Sequence, residues 1–165
     1  MLTEVKTLLY ASDTRPGSRP AFRMAVQEAI KHQAKIVYLH VLEPVTDEAH
    51  DMMRDYLPAD VQGMHLDQIH EAQRQKIAKR ISDFLAEELD SNLLACEPEI
   101  LVKLGRPDKG ILKACESTGA DMIVMGDRVS HSFSRFFLGS TAQSVIQHSQ
   151  IPVLIVPLKP DSKKR

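Results

Sequence analysis

The sequence has few cysteines, almost no net charge and no long hydrophobic run, and each shortage excludes a class of protein. Among its 165 residues, 21 Lys and Arg nearly balance 22 Asp and Glu, so no overall field favours binding to nucleic acid or to a membrane. The two cysteines, Cys96 and Cys115, lack CxxC spacing, which fits a reduced protein better than a disulfide framework or a structural zinc site. No apolar run approaches the roughly 20 residues of a membrane helix, and no signal peptide is visible. We therefore expect a cytoplasmic protein without a structural metal.

What the sequence does contain is an alternation of short apolar runs and amphipathic segments. The apolar runs predict buried strands at residues 5–10, 35–42, 99–104, 121–126 and 151–157. The amphipathic segments predict helices at residues 21–33, 60–89, 107–119 and 140–149, and 43–60 is predicted to be a loop with at most a short helical turn. This order predicts an α/β fold, a single doubly wound five-stranded parallel sheet with helices on both faces. We expect one domain at residues 1–158 and a polar, basic C-terminal tail at 159–165.

The first candidate site residue is Asp13, which follows the first predicted strand. In a sheet of this kind, ligands bind outside the carboxyl ends of the strands, where the strand order reverses. A carboxylate at this position could accept hydrogen bonds from ribose hydroxyls. A turn or a helix cap within the run Asp13 to Gly17 explains the same residues equally well.

A second candidate is the stretch from Gly126 to Thr141, between the fourth strand and the next helix. Gly126 lets a ligand or the backbone approach closely, and Gly139 with Ser140 would leave free amides at a helix N-terminus, which attract anions. Ser140 or Thr141 could instead be a simple N-cap. A phosphate site and a plain connection between strand and helix both remain open on these residues.

Residues that would support catalysis or metal binding are not arranged for either. The GxSxG elbow, the GxxxxGK[ST] loop and the GxGxxG fingerprint are absent. His65 and His70 are spaced so that they do not share one helix face, and His40 is predicted to be a satisfied core histidine. His131 has no carboxylate partner in the sequence around it, so neither a catalytic constellation nor a metal site is predicted.

Taken together, the sequence resembles the universal stress protein family over essentially its whole length. The resemblance rests on short segments in a fixed order, at residues 8–13, 38–41, 103–107, 120–126, 137–140, 145–146 and 152–156. Nucleotide-binding members carry Gly-x2-Gly-x9-Gly-Ser/Thr, which Gly126 and Gly139-Ser140 match. Val129 stands where the second glycine would be, and a β-branched residue resists a positive φ. The resemblance therefore implies a weakened grip on phosphate.

The resemblance also implies a Rossmann-like fold of the adenine-nucleotide α-hydrolase type, with ATP or another adenine nucleotide as cofactor, together with Mg²⁺. By resemblance, Asp13 would contact the ribose and the backbone near Val41 the adenine, while Gly126 would pack near the sugar. The start of the last helix would hold the phosphates. The candidate nucleotide-binding residues are Ala11, Ser12, Asp13, Val41, Met125, Gly126, Arg128, Val129, Gly139, Ser140 and Thr141.

The end of the chain suggests how the protein associates. The run Ile151 to Val156 is strongly apolar, and an uncovered strand at a sheet edge invites pairing. The family pairs this strand across a two-fold axis, so the resemblance implies a homodimer, whereas an edge covered within its own chain would give a monomer.

Three functions stay open at this point. The first is a dimeric stress-response module that binds ATP or a related nucleotide and acts through conformational signalling. The second is a nucleotide-free interaction module, which Val129 favours. The third, a slow ATP hydrolase, ranks last because no general base or nucleophile is evident.

Overall fold

The computed structural model describes residues 2–60, 62–128 and 138–159, which fold around one parallel sheet. The strands are β1 Thr7–Ala11, β2 Lys35–Leu42, β3 Glu99–Leu104, β4 Met122–Arg128 and β5 Val153–Leu158. The helices are α1 Arg19–His32, α2 Asp47–Met53, α3 Leu66–Glu88, α4 Pro107–Thr118 and α5 Ser140–His148, and a 3-10 turn follows α2 at Arg54–Tyr56.

The five strands lie in the order β3-β2-β1-β4-β5 and every neighbouring pair is parallel. The chain therefore builds the sheet outward from β1 through β2 to β3, and then returns to the other side of β1 with β4. This reversal between β1 and β4 opens a crevice at the carboxyl ends of the two strands. The predicted α/β class and the five-stranded parallel sheet are confirmed.

Both faces of the sheet are covered by helices. One core includes buried residues of α1 and α3, and the other includes buried residues of α4 and α5. Along β1, Leu8 and Tyr10 belong to the first core, and Leu9 and Ala11 to the second, as the two-residue period of a strand requires. Burial on both sides is the reason why this strand reads as a continuous apolar run.

The start of β4 is fastened to the start of β1 by Asp121. Its Oδ2 accepts hydrogen bonds from the backbone N–H groups of Lys6 and Thr7, both at 2.9 Å, and its own N–H donates to the carbonyl of Thr7 at 2.8 Å. The ladder that follows pairs Leu8 with Met122. Asp121 thus fixes the register in which the carboxyl ends of β1 and β4 meet.

The segment 43–60, which was predicted to be a loop with at most a helical turn, contains the seven-residue helix α2. Thr46 caps it by accepting a hydrogen bond from the N–H of Ala49 at 3.1 Å, and Asp47 and Glu48 lie in its first turn. Since α2 buries none of its residues, it has no apolar stripe by which hydrophobic periodicity could find it.

Other boundaries also differ from prediction. Helix α3 begins at Leu66 rather than near residue 60, where the side chain of Gln68 accepts a hydrogen bond from the N–H of His65 at 3.2 Å. Strand β4 continues past Gly126 to Arg128, and β5 starts at Val153 and reaches Leu158. The extension of β4 carries two charged residues, Asp127 and Arg128, to the crevice.

A close contact between α4 and β2 gives a first prediction. A Cβ at Gly110 would lie 2.8 and 2.9 Å from the two γ-carbons of Val41. Alanine in a helix interior is favoured over glycine by about 1 kcal/mol, but overpacking a core costs about 1–3 kcal/mol. We predict that Gly110→Ala lowers the free energy of unfolding by about 1 kcal/mol in urea denaturation.

The double variant Val41→Ala/Gly110→Ala identifies the obstacle. Removing the γ-carbons makes room for the new methyl group, so the two substitutions should couple favourably by about 1 kcal/mol. Gly63→Ala is the control, because nothing lies within 4 Å of a Cβ there, and it should change stability by no more than about 0.5 kcal/mol. Strictly additive effects would show that Val41 is not what excludes the side chain.

Candidate functional site

A cavity of about 380 Å³ lies at the carboxyl ends of β1 and β4, between the starts of α4 and α5. Every predicted nucleotide-binding residue that the structure describes lines it, namely Ala11, Ser12, Asp13, Val41, Met125, Gly126, Arg128, Gly139, Ser140 and Thr141. Val129, the departure from the family's glycine pattern, lies outside the described residues, as does His131. Segments from distant parts of the sequence thus meet at the reversal of strand order.

The charged centre of the cavity is Asp13. Arg128 donates to its carboxylate through Nε at 2.9 Å and Nη2 at 3.3 Å, and Arg15 donates through its backbone N–H and its Nε, both at 2.9 Å. The Arg128 side chain is 9% exposed and that of Asp13 is 36% exposed. Arg128 is therefore in contact with Asp13, the residue that the resemblance predicts to bind the ribose.

These bonds set the acidity of Asp13. Burial alone would raise the pKa of this carboxyl, but the hydrogen bonds from Arg128 and Arg15 outweigh it and hold the pKa below its usual value. An ionised carboxylate held by two guanidiniums is a hydrogen-bond acceptor fixed in place.

His40 was predicted to be a satisfied core histidine, and the structure corrects half of that prediction. Its Nδ1 is bonded to the carbonyl oxygen of Ser12 at 2.8 Å, but its ring is partly exposed and lines the cavity. Because a carbonyl oxygen can only accept a hydrogen bond, Nδ1 carries a proton in this contact. The signal in the sequence was a polar residue near the carboxyl end of a buried strand.

Packing within the protein is a sufficient reason for a glycine at position 126, as close approach of a ligand would be. A Cβ there would lie 2.9 Å from Cγ of Leu158 in β5 and 3.3 Å from Cβ of Ala21 in α1. The glycine lets β5 and α1 close over the end of β4, and Leu158 also lines the cavity.

The start of α5 is capped from outside the helix. Gly139 precedes the helix and its N–H donates to Oδ1 of Asp127 at 2.9 Å. The side chains of Ser140 and Thr141 do not supply the N-cap that the sequence left open, because Gly139 occupies that position. Asp127 is 8% exposed, lines the cavity and was missed in the sequence, although it directly follows Gly126.

The two helices that flank the cavity are joined through Asp108. This residue, in the first turn of α4, accepts hydrogen bonds from Nη2 of Arg106 at 2.7 Å and from Oγ of Ser144 in α5 at 2.8 Å. The hydrogen bonds from Arg106 and Ser144 hold the pKa of Asp108 well below its usual range. The link keeps Pro107 and Ser140 together in the cavity wall.

The described residues offer little for covalent or metal chemistry. No three His, Cys, Asp or Glu side chains in this part of the chain gather into a group that could hold a metal ion. Burial raises the pKa of the Cys115 thiol to about 11, so that thiol is a weak nucleophile. No described helix is both long and apolar enough to cross a membrane.

Comparison with known proteins identifies the family. The model of the universal stress protein family matches residues 4–157. This chain belongs to the universal stress protein family. It is 32% identical over 151 residues to the universal stress protein in the QAH/OAS sulfhydrylase 3' region of Thermus aquaticus. The aligned region covers 92% of this chain and 98% of the relative.

Solved structures of universal stress proteins share the fold. That of MJ0577 from Methanocaldococcus jannaschii superposes with a TM-score of 0.68 at 18% identity, over 98% of this chain and 100% of that chain. A universal stress protein of Archaeoglobus fulgidus, solved in complex with dAMP, gives a TM-score of 0.56 at 19% identity, over 93% and 98% of the two chains. At these identities the comparison establishes the fold of this universal stress protein.

The pairing of Asp13 with Arg128 gives the second prediction. Since the folded pKa of Asp13 is lowered, its contribution to stability is present above the usual pKa of about 3.9 and is lost as the pH falls through the lowered value. Arg128→Met should raise the pKa of Asp13, measured by NMR titration of its carboxyl carbon. The variant should also lose less free energy of unfolding than the wild type on acidification from about pH 5.

Arg23→Met is the matched control, because the exposed Arg23 pairs with Glu88 away from the cavity. It should leave the titration of Asp13 unchanged. An Asp13 pKa that is the same in Arg128→Met and the wild type would contradict the assignment.

Proposed function

We propose that this universal stress protein binds an adenine nucleotide in the cavity between β1 and β4 and acts by conformational signalling rather than by rapid catalysis. The observation that carries the proposal is the convergence of Asp13, Val41 and Gly139 on one cavity of about 380 Å³. That volume lies within the roughly 300–1,000 Å³ of small-molecule pockets.

The cavity has an apolar part suited to a purine. Leu39 and Val41 of β2, Ile111 of α4 and Met125 of β4 line it, and they supply the dispersion contacts that a flat ring needs. Peptide groups at the end of β2 lie beside them and could provide the few polar contacts that fix a base.

The sugar would bind at Asp13, where a ribose hydroxyl would take the place of an existing hydrogen bond from an arginine. A carboxylate has about four lone-pair sites, and four hydrogen bonds from Arg128 and Arg15 already reach Asp13. A ribose hydroxyl therefore replaces one arginine contact. Arg15 is the easier to displace, because its side chain is 57% exposed whereas that of Arg128 is 9% exposed.

This exchange links ligand binding to a change in the protein. A displaced guanidinium must find another partner, and both Arg15 and Arg128 belong to segments that line the cavity mouth. The bound dAMP of the Archaeoglobus fulgidus relative supports an adenine nucleotide as the ligand.

A slow ATP hydrolase would instead show release of ADP that depends on Mg²⁺.

The proposal predicts stabilisation by ligand. Adenosine, AMP or ADP should raise the melting temperature, because a ligand that binds only the native state at about 100 times its Kd adds about 2.7 kcal/mol. Asp13→Asn keeps the shape but removes the charge and one acceptor, and it should weaken binding about tenfold, or about 1.4 kcal/mol, by calorimetry. Asp83→Asn, at an exposed carboxylate on α3, is the control and should bind as the wild type does.

Mass spectrometry of the natively purified protein gives an independent test. After denaturation, an adenine compound near one equivalent per chain would support the proposal. A protein that releases nothing and shows no thermal shift with any adenine compound would be a nucleotide-free interaction module.

We also propose that the protein is a homodimer through β5. In the described part of the chain, β4 is the only strand bonded to β5, so one edge of β5 is available for pairing. Val153, Leu154, Ile155 and Val156 are all apolar and only partly buried. The strand occupies Val153–Leu158 rather than the predicted Ile151 to Val156.

Light scattering should therefore give twice the chain mass of 18.5 kDa. A lysine on an edge strand opposes pairing, so Ile155→Lys should reduce the mass to that of one chain while the circular dichroism spectrum stays native. Leu93→Lys, at a side chain that is already exposed, should remain a dimer. A wild type of 18.5 kDa would overturn the proposed dimer.

A further inference from the structure

Asp127 is an anion that the protein places in its own cavity. It lies in β4 between Gly126 and Arg128, is 8% exposed, and lines the cavity near the start of α5. Its Oδ1 accepts the hydrogen bond of the Gly139 N–H at 2.9 Å. Free N–H groups at a helix N-terminus carry partial positive charge and attract anions. Here the carboxylate of Asp127, from the same chain, already occupies the place of such an anion.

The contact leaves no space for a second anion at this amide. A Cβ on Gly139 would lie 2.8 Å from Oδ1 of Asp127, so the backbone of Gly139 is in direct contact with the carboxylate. A phosphate oxygen could receive the Gly139 N–H only if Asp127 moved away, which would leave a buried carboxylate without this donor.

The described side chains around the cavity carry two negative and two positive charges, so no net charge attracts a polyphosphate into the cavity. Asp13 and Asp127 both line it, and the guanidiniums of Arg15 and Arg128 are bonded to Asp13. A triphosphate would bring several negative charges close to Asp127 in a partly desolvated cavity, where like charges repel more strongly than in water. Adenosine brings no such charge, and a monophosphate brings the least of the nucleotides.

We propose that Asp127 is a specificity-determining residue, which occupies the Gly139 amide as a built-in anion so that the cavity binds adenosine and its monophosphates in preference to ATP. The inference rests on the proposed binding of an adenine compound in this cavity. It names the class of ligand within that proposal, and it depends on a different residue from the ribose contact at Asp13.

Isothermal titration with adenosine, AMP and ATP, each with and without Mg²⁺, tests the preference in the wild type. We expect adenosine and AMP to bind at least tenfold more tightly than ATP, and this difference should shrink as salt is raised, because salt screens charge repulsion. The wild-type measurement needs no variant to fold.

Two substitutions then identify the cause. Asp127→Asn removes the charge and keeps an oxygen that can accept from Gly139, and Asp127→Ser removes the carboxylate and frees the amide. Each should raise the ratio of ATP affinity to adenosine affinity at least tenfold, and Asp127→Ser should raise it at least as much as Asp127→Asn. Asp83→Asn changes the net charge equally at an exposed site on α3 and should leave the ratio as it is.

The outcomes separate the two proposals. If the wild type binds ATP as tightly as adenosine, and neither Asp127 variant changes the ratio, the role of Asp127 is wrong while nucleotide binding stands. If no adenine compound binds the wild type or either variant, nucleotide binding itself is overturned and the inference falls with it.

Discussion

Strand β1 is hydrogen-bonded on both sides, and its bonds to β4 join segments that are more than a hundred residues apart in sequence. The carboxylate of Asp121 begins that pairing by accepting the N–H groups of Lys6 and Thr7, and the ladder continues to Ala11 and Met125. This register decides which residues leave the sheet together at the carboxyl ends. The crevice and all the contacts across the crevice depend on this register.

The charges in the crevice are arranged to satisfy one another before any ligand arrives. Asp13 is held by Arg128 and Arg15, Asp127 holds the amide of Gly139, and Asp108 ties α4 to α5. The bonds of Asp13 with Arg128 and of Asp108 with Ser144 join elements that are distant in sequence, so bonds that define the site also close the fold around it. On the proposed function a ligand would bind by exchange of partners, because a buried polar group left unsatisfied costs about 1–3 kcal/mol.

Elements that bury an apolar face could be predicted from the sequence, and so could a polar residue at the end of a strand. Strand β1 was predicted because burial on both faces gives a continuous apolar run, and helix α4 because burial of one face gives a periodic pattern. Asp13 was predicted because parallel strands present their carboxyl ends to ligands. Helix α2 was missed since it buries nothing. The bond between Asp13 and Arg128 could not be predicted, because side chains 115 positions apart meet only through a register that the pattern of residues does not specify.

Asp127 shows why a family's glycine pattern is not enough to identify a ligand. The pattern specifies a glycine where the backbone can approach a phosphate, and Gly139 supplies that glycine, but its N–H donates to Asp127. The residue that follows the first glycine is left open by the pattern, yet in the fold it lies within hydrogen-bond distance of the last one. Whether the amide of Gly139 meets a ligand or a carboxylate of its own chain is decided at that open position. Our proposal for Asp127 thus implies that one fold can serve ligands of different charge through a change at this single side chain.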